Sequence, residues 1–116
     1  MRIISGKFKG RRIFPPKNLP VRPTTDMSKE ALFNVLNNHF SFDSLKVLDL
    51  FSGTGNISFE FSSRGVEEII AVDNNSMCIH FIEKTKGCIC TYDVRQRNTI
   101  FFRCKVNEHS SKKLIF

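Results

Sequence analysis

Residues 47–56 read VLDLFSGTGN, an apolar run that contains one acidic residue and leads into two closely spaced glycines. This order predicts a β-strand, a tight turn and a helix that begins near Asn56. Gly53 and Gly55 lack a Cβ atom, so the turn can adopt positive φ values and approach a ligand closely. The free N–H groups at the start of the helix suit a carboxylate or phosphate. The stretch therefore indicates a site for a nucleotide-like cofactor.

An acidic residue after the next predicted strand strengthens this interpretation. Asp73 follows the apolar residues 69–72 and lies twenty positions after Gly53. In a βαβ unit, an acid at the end of the second strand accepts hydrogen bonds from both ribose hydroxyls of a bound cofactor. Two glycines alone commonly mark an ordinary turn, so Asp73 is the residue that favours a cofactor site.

The spacing of apolar and turn residues predicts the order of the remaining elements. An N-terminal β-hairpin comes first, followed by a proline-rich connector. A helix then begins at Thr24, Thr25 or Asp26, and its predicted apolar residues recur at helical spacing. These residues are Met27, Ala31, Leu32, Val35 and Leu36. The helices are expected at about 26–38, at about 56–64 with a stop at Gly65, and at about 76–84 with a cap at Asn74 or Asn75 and a stop at Gly87. The strands are expected at about 45–50, 68–72, 99–104 and 112–116.

Composition limits the class of protein. A chain of 116 residues with 41% hydrophobic residues predicts one globular domain, short for a doubly wound α/β fold. It contains neither an apolar run long enough for a membrane span nor the apolar core of a signal peptide, so we expect a cytoplasmic protein. The four cysteines form no CxxC pair and the histidines show no ligand spacing, which predicts reduced thiols and no metal site.

The net charge of +7 is concentrated at the N-terminus. Residues 1–22 contain seven basic residues and no acidic one, whereas residues 23–116 are electrically balanced. A basic segment beside a neutral domain predicts binding to the phosphates of a nucleic acid. The alternative is a solvated hairpin that uses basic side chains to prevent edge pairing. The candidate RNA-binding residues are Arg2, Lys7, Lys9, Arg11, Arg12 and Arg22.

Three motifs in this order resemble a known family. They are MRIISGKFKGRRI at 1–13, VRPTTDMSKEALFNVL at 21–36 and VLDLFSGTGNISFEFSSRG at 47–65. Together they are similar to the bacterial methyltransferases that modify the exocyclic N2 amine of a guanine in small-subunit (16S) ribosomal RNA, over roughly residues 1–85. The resemblance implies an enzyme that uses S-adenosylmethionine and has an incomplete Rossmann-like α/β fold of three or four strands. It also implies an RNA-contacting hairpin and connector at 1–22 and a partial methyltransferase domain at 23–116.

The resemblance also implies roles for the residues of the turn. Asp49 would face the amino group of the cofactor, and Asp73 would bind the ribose hydroxyls. The backbone around Ser52, Gly53 and Gly55 would pack against the methionine part. Alternatively, Asp49 accepts hydrogen bonds from the N–H groups of the turn itself.

Other matched positions are open to two interpretations. Thr54 and Asn56 belong to the same turn, although their side chains can equally cap the following helix. Residues 22–24 match a family segment near the mouth of the active site, although a plain junction between loop and helix also explains them.

The sequence departs from the family at two places. The position expected to bind the adenine amine is Lys105, which cannot accept a hydrogen bond, and the nearby Asp93 has no convincing spacing. The family's catalytic Asp or Asn followed by two prolines and an aromatic residue orients the guanine amine and stacks on the flipped base. No proline follows Pro23, and the only double proline, at 15–16, lacks the preceding Asp or Asn, so no catalytic residue is assigned.

The end of the sequence leads to a further expectation. Residues 112–116 resemble the beginning of the strand that precedes the catalytic motif, so we expect a chain truncated just before that motif. The first strand would then lack a partner on one side. We expect a monomer if the chain is complete and an association-prone protein if it is truncated.

Three functional hypotheses follow from the sequence. The first is a truncated RNA guanine-N2 methyltransferase that acts on ribosomal RNA or the small ribosomal subunit. The second is a non-catalytic RNA-binding remnant of that family. The third is a dinucleotide-binding α/β protein, because Gly53, Gly55 and Ser58 loosely fit GxGxxG. Against the third, Asp49 would face an anionic pyrophosphate.

Overall fold

A computed structural model describes residues 1–86, 95–96, 99–103 and 112–115 of the chain. The described part has three α-helices, one short 3₁₀ helix and five strands. The helices are α1 (Asp26–His39), α2 (Asn56–Ser63) and α3 (Ser76–Lys86), with the 3₁₀ turn at Phe42–Ser44. The strands are β1 (Leu45–Asp49), β2 (Glu68–Val72), β3 (Arg95–Gln96), β4 (Thr99–Arg103) and β5 (Lys112–Ile115).

The five strands form one sheet in the order β3-β4-β2-β1-β5. At its centre, β1 runs parallel to β2, with Val47 opposite Ile69, and parallel to β5, with Val47 opposite Leu114. The strands β1 and β2, with α2 between them, form the predicted βαβ unit. This is a partial Rossmann-like fold, as the sequence predicts.

Two features of the sheet differ from the expectation. The prediction that β1 lacks a partner on one side is wrong, because β5 pairs with it from Leu45 to Leu48. The third predicted strand, β4, lies beside β2 but runs antiparallel to it, with Ile70 opposite Phe101. The strand β4 also pairs antiparallel with the short β3 that precedes it in the chain. The chain therefore reverses direction between β3 and β4, and β4 runs opposite to β2.

The helix boundaries follow from their capping residues. The Thr25 side chain accepts a hydrogen bond from the Ser28 N–H at the start of α1, at 3.2 Å. The side chain of Asn75 does the same for the N–H of Met77 at the start of α3, at 2.9 Å. Gly65, at a φ of 83°, follows the end of α2 and confirms the predicted stop.

The buried face of α1 was only partly predicted. Its buried residues are Lys29, Phe33 and Leu36, one of which belongs to the predicted set. Met27 and Val35 were predicted to be apolar core residues, but they are 82% and 57% exposed. The apolar spacing did not include Lys29, which is fully buried and forms an ion pair with Glu60.

The N-terminal segment forms a narrow hairpin that packs into the core. An isolated antiparallel bridge joins Arg2 to Arg12, and the Ile3 N–H donates to the Arg11 carbonyl at 2.9 Å. Ile3 and Ile13 are buried in the same apolar cluster as the strands of the central sheet. Burial of these two side chains fixes the hairpin against the domain and leaves its basic residues on the outside.

Three phenylalanine rings form a cluster between α1, the 3₁₀ turn and α2. Phe33 of α1 and Phe61 of α2 are buried, with ring centroids 4.6 Å apart in an edge-to-face arrangement. Phe42 of the 3₁₀ turn contacts both rings edge-on. The Arg64 guanidinium lies 4.5 Å from the Phe33 ring centroid. This geometry is favourable for aromatic pairs and for a cation over a ring, and it joins the two helices.

Several predicted features lie outside the described residues. They are the helix stop at Gly87, the candidates Asp93 and Lys105, the cysteines Cys88, Cys90 and Cys104, and His109. The thiol of Cys78 is free and buried. Among the described residues, none of the helices has the length and apolar character needed to cross a bilayer. Within the same residues, no cluster of three or more acidic, histidine or cysteine side chains is arranged to hold a metal ion.

Candidate cofactor site

An open cavity of about 590 Å³ lies where β1 and β2 end. Parallel strands direct their carboxyl ends to one edge of the sheet, where α/β proteins bind their ligands. The predicted residues that line it are Asp49, Ser52, Gly53, Thr54, Asn56 and Asp73. The structure therefore brings six of the seven predicted cofactor residues to one cavity of a size typical for ligand sites.

Asp49 is the buried acid of this cavity. It is the last residue of β1 and is 5% exposed. Burial raises the pKa of its carboxyl group, although a hydrogen bond from Ser58 Oγ at 2.8 Å and one from the Phe51 N–H act in the opposite direction. The hydrogen bond from the Phe51 N–H agrees with the alternative interpretation, in which Asp49 accepts hydrogen bonds from the N–H groups of its own turn. Within the described residues Asp49 forms no ion pair, and its buried carboxylate is therefore suited to bind a positively charged ligand group.

Asp73 connects the two loops that form the cavity floor. Its Oδ2 accepts a hydrogen bond from the Gly53 N–H at 2.8 Å, and its Oδ1 accepts one from the Asn75 N–H, also at 2.8 Å. The acid thus fixes the glycine turn after β1 relative to the start of α3. Each carboxylate oxygen keeps further acceptor capacity for a ligand hydroxyl.

Gly55 does not line the cavity and has a packing role instead. A Cβ atom built on it would lie 2.9 Å from both Ile82 Cγ1 and Phe59 Cε2, and its φ is 78°. Gly53 is different, because a Cβ there would meet only Val21, at 3.7 Å. Gly55 therefore allows α3 to pack against the turn, a requirement that the sequence pattern could not separate from ligand binding.

Asn56 neither caps α2 nor has a free amide. The N-cap of α2 is Gly55, and no side chain caps this helix. The Asn56 Nδ2 group donates to the Thr24 carbonyl at 2.7 Å, and its Oδ1 accepts from Lys29 Nζ at 2.8 Å. The capping interpretation is therefore wrong for Asn56, which joins the cavity wall to α1 and the segment before it. Thr54 is buried beside it.

Ser52 provides a polar atom that has no partner among the described residues. Its Oγ is buried and makes no hydrogen bond within the described part of the chain. A buried hydroxyl without a partner costs free energy, and such groups are rare in folded proteins. Because Ser52 lines the cavity, a polar ligand bound there would satisfy it.

The six predicted RNA-binding residues are all exposed, and five of them lie on the hairpin. Arg22 is the exception, because it lines the cofactor cavity. Arg2 Nε forms an ion pair with Asp26 at 3.4 Å, which places the hairpin beside the start of α1. Lys7 and Arg11 both lie within 6 Å of the Phe8 ring, at 5.6 and 5.7 Å from its centroid.

A buried ion network was missed by the sequence analysis. Glu60 of α2 pairs with Lys29 at 3.2 Å and with Arg64 at 3.0 Å, and the Lys29 and Glu60 side chains are fully buried. The Glu60 carboxylate also accepts hydrogen bonds from the N–H groups of Ile4 and Ser5, at 2.9 and 3.1 Å. Burial lowers the pKa of Lys29, while the Glu60 charge opposes this change. A lysine and a glutamate on two different helices give no signal in sequence spacing.

Comparisons with known proteins agree with this architecture. The family model described as Conserved hypothetical protein 95 matches residues 1–116. The chain is 41% identical over 83 residues to "Putative rRNA methyltransferase YlbH" of Bacillus subtilis (strain 168), covering 72% of this chain and 44% of that protein. It is 34% identical over 110 residues to "Ribosomal RNA small subunit methyltransferase D" of Buchnera aphidicola subsp. Baizongia pistaciae, covering 93% of this chain and 56% of that protein.

A solved structure shows the same fold. The chain superimposes on "Putative methyltransferase yhhF" from Escherichia coli with a TM-score of 0.64 and 27% identity, covering 76% of this chain and 46% of the other. The chain spans about half the length of the curated relatives it matches. It belongs to the Conserved hypothetical protein 95 family, the family of small-subunit ribosomal RNA methyltransferases that its sequence resembles.

Proposed function

We propose that this chain provides the S-adenosylmethionine-binding part of a methyltransferase that modifies the exocyclic N2 amine of a guanine in small-subunit ribosomal RNA. The observation that carries the proposal is the cavity at the ends of β1 and β2, which combines the buried Asp49, Asp73 and a Ser52 hydroxyl without a partner in the described part of the chain. The names of the relatives support the reaction class and the kind of RNA. Such a substrate places the protein in the cytoplasm.

The residues of the cavity fit this cofactor. Bound S-adenosylmethionine would supply an electrophilic methyl group. The Asp49 carboxylate would bind its ammonium group, and the Ser52 hydroxyl would bind a polar atom of the methionine part. Asp73 would accept hydrogen bonds from the ribose hydroxyls while it holds the Gly53 turn in place. The buried Asp49 carboxylate also argues against a dinucleotide, because it would repel a pyrophosphate.

Methyl transfer requires a group that orients the guanine amine, and no described residue is assigned that role. The family's Asp or Asn with two prolines does not occur in the 116 residues. Cofactor binding and methyl transfer therefore need separate tests. Calorimetric titration with S-adenosylmethionine, with NAD as the control ligand, tests the first, and methylation of small-subunit RNA tests the second. Cofactor or RNA binding without methylation would favour the non-catalytic remnant.

Replacing Asp49 with asparagine should change cofactor affinity and thermal stability in opposite directions. We expect Asp49→Asn to weaken S-adenosylmethionine binding by about 10- to 100-fold, the range for a lost charge-assisted hydrogen bond. Because burial raises the Asp49 pKa, the folded protein holds this proton more tightly than the unfolded chain does. The contribution of Asp49 to stability thus declines as the pH rises from the unfolded toward the folded pKa. At neutral pH the variant should therefore melt at a higher temperature than the wild type.

The pH dependence provides a second readout for Asp49. Wild-type affinity for the cofactor should fall as the pH is lowered through the raised Asp49 pKa, since the neutral carboxyl group no longer attracts an ammonium. The affinity of Asp49→Asn should not change over that range. Asp43→Asn is the matched control, because Asp43 is exposed and bonds only to Ser41 in the described structure. Equal affinity of wild type and Asp49→Asn would remove Asp49 from the cofactor site.

Asp73→Ala is expected to weaken S-adenosylmethionine binding by about 1 to 3 kcal/mol, because a charged acceptor for the ribose hydroxyls is lost. The same change frees the N–H groups of Gly53 and Asn75. Calorimetry should therefore be paired with urea denaturation of the variant. Unchanged affinity in a folded variant would show that Asp73 does not bind the cofactor.

A further inference from the structure

Phe51 is an aromatic residue that the fold leaves uncovered. It is 87% exposed, more than any other large hydrophobic residue in the described part of the chain. It lies between the buried Asp49 and the buried Ser52, and it lines the cofactor cavity. Exposure of a complete phenylalanine ring forgoes about 1.5 to 3 kcal/mol of burial free energy. Core packing therefore does not explain why a phenylalanine occurs at this position.

One basic residue shares the cavity with this ring, and the buried Lys29 links the hairpin to the cavity wall. Arg22 is exposed and lines the same cavity. Lys29 Nζ donates hydrogen bonds to the Arg2 carbonyl and to Asn56, and Asn56 donates to the Thr24 carbonyl. Asn56 and Thr24 line the cavity. Two hydrogen bonds, both donated by Lys29, therefore connect the Arg2 backbone carbonyl to the cavity wall.

The hairpin adds a second cation at this place. The backbone bridge sets Arg12 directly opposite Arg2. Exposed cations therefore lie in the cavity lining, at Arg22, and on the hairpin that Lys29 links to the cavity wall. This combination of cations and an exposed aromatic face is typical of proteins that bind single-stranded nucleic acids.

We propose that Phe51 is a stacking platform for an unpaired base of the RNA at the mouth of the cavity, with Arg22 and Arg12 binding the adjoining phosphates. The proposal deepens the proposed function and rests on it for the choice of RNA. Bases in a duplex have their faces covered by neighbours, so the platform requires an unpaired or flipped nucleotide. Phe51 is thus a positioning residue that acts on the substrate and not on the methyl group.

The test is the affinity of Phe51 variants for a short fluorescein-labelled single-stranded RNA of mixed sequence, measured by anisotropy at several salt concentrations. Phe51→Ala and Phe51→Leu should each bind about 5- to 100-fold more weakly, the range for one stacked base, and Phe51→Trp should retain the affinity. These changes should leave the salt dependence unaltered. Arg22→Ala should instead reduce the slope of log affinity against log salt by about 0.7, the value for one phosphate contact on a single strand.

Several outcomes would overturn the platform. If Phe51→Leu binds as tightly as the wild type, apolar area and not stacking is responsible. If the variants bind RNA normally but self-associate less, the ring is a protein contact. Tighter binding of the duplex than of the single strand would also contradict the proposal. Cofactor titration is independent of these results: failure of the wild type to bind S-adenosylmethionine refutes the proposed cofactor, while the RNA series still decides the role of Phe51.

Discussion

Gly6→Ala is expected to lower the free energy of unfolding by about 3 kcal/mol or more, and to release the basic hairpin from α2. The Cβ atom would lie 2.0 Å from the Ser63 carbonyl oxygen and 2.8 Å from the Arg64 nitrogen, both backbone atoms that cannot move aside. Left-handed backbone strain costs about 1–2 kcal/mol and an overpacked contact about 1–3 kcal/mol. The displaced segment would also lose the hydrogen bonds from Lys7 and Phe8 to Ser63, at 2.7 and 3.0 Å.

The hairpin contains a matched control for this change. Gly10 has a φ of 83°, close to the 88° of Gly6, but a Cβ built on it meets nothing within 4 Å. Gly10→Ala should therefore cost only the backbone strain, about 1–2 kcal/mol. Urea denaturation followed by circular dichroism measures both variants. Equal loss of stability in the two would show that the contact between Gly6 and Ser63 does not fix the hairpin.

Glu60→Gln should destabilise the protein by about 3–5 kcal/mol, the range for removing one partner from a buried ion pair. The amide keeps the size of the side chain but leaves the fully buried Lys29 without its anion. It also weakens the pairing with Arg64 and provides only one acceptor oxygen for the N–H groups of Ile4 and Ser5. Thermal and urea denaturation at neutral pH measure the loss.

An exposed ion pair in the same protein is the control. Arg2 and Asp26 are 3.4 Å apart, but both side chains are about half exposed, so Asp26→Asn should cost about 1 kcal/mol or less. The double variant Lys29→Met with Glu60→Gln should lose less stability than the sum of the single variants, because the buried Lys29 charge is no longer left without its anion. Additive losses would contradict a direct interaction between the two side chains.

The sequence predicted the elements better than it predicted their contacts. The apolar run of β2, the cap of α3 and the stop at Gly65 depend on local residue preferences, and all three are found where expected, with Asn75 and not Asn74 as the cap. The buried face of α1 was misjudged because the burial of Lys29 depends on Glu60, which is 31 residues away in the sequence. Long-range pairing of this kind leaves no local pattern.

The candidate site shows the same difference between features set by local sequence and features set by long-range contacts. The glycine turn and the acid after β2 mark a cavity through local spacing, and six of the seven predicted residues line it. Gly55 was included because positive φ is needed both for ligand approach and for close packing, and only the positions of Ile82 and Phe59 distinguish the two. The exposure of Phe51 was also not predictable, because an aromatic residue after a strand is ordinarily expected in the core.

The attachment of the hairpin to α2 has a consequence for the order of folding. The N–H groups of Ile4, Ser5 and Phe8 bond to Glu60 and Ser63, at separations of 55 to 56 residues along the chain. A ribosome that adds about 5–20 residues per second needs several seconds to make that intervening length. Until residues 60–63 have been made, the hairpin therefore lacks these native partners. During this interval the nascent chain carries an undocked cationic strand beside the anionic RNA of the ribosome that is making it.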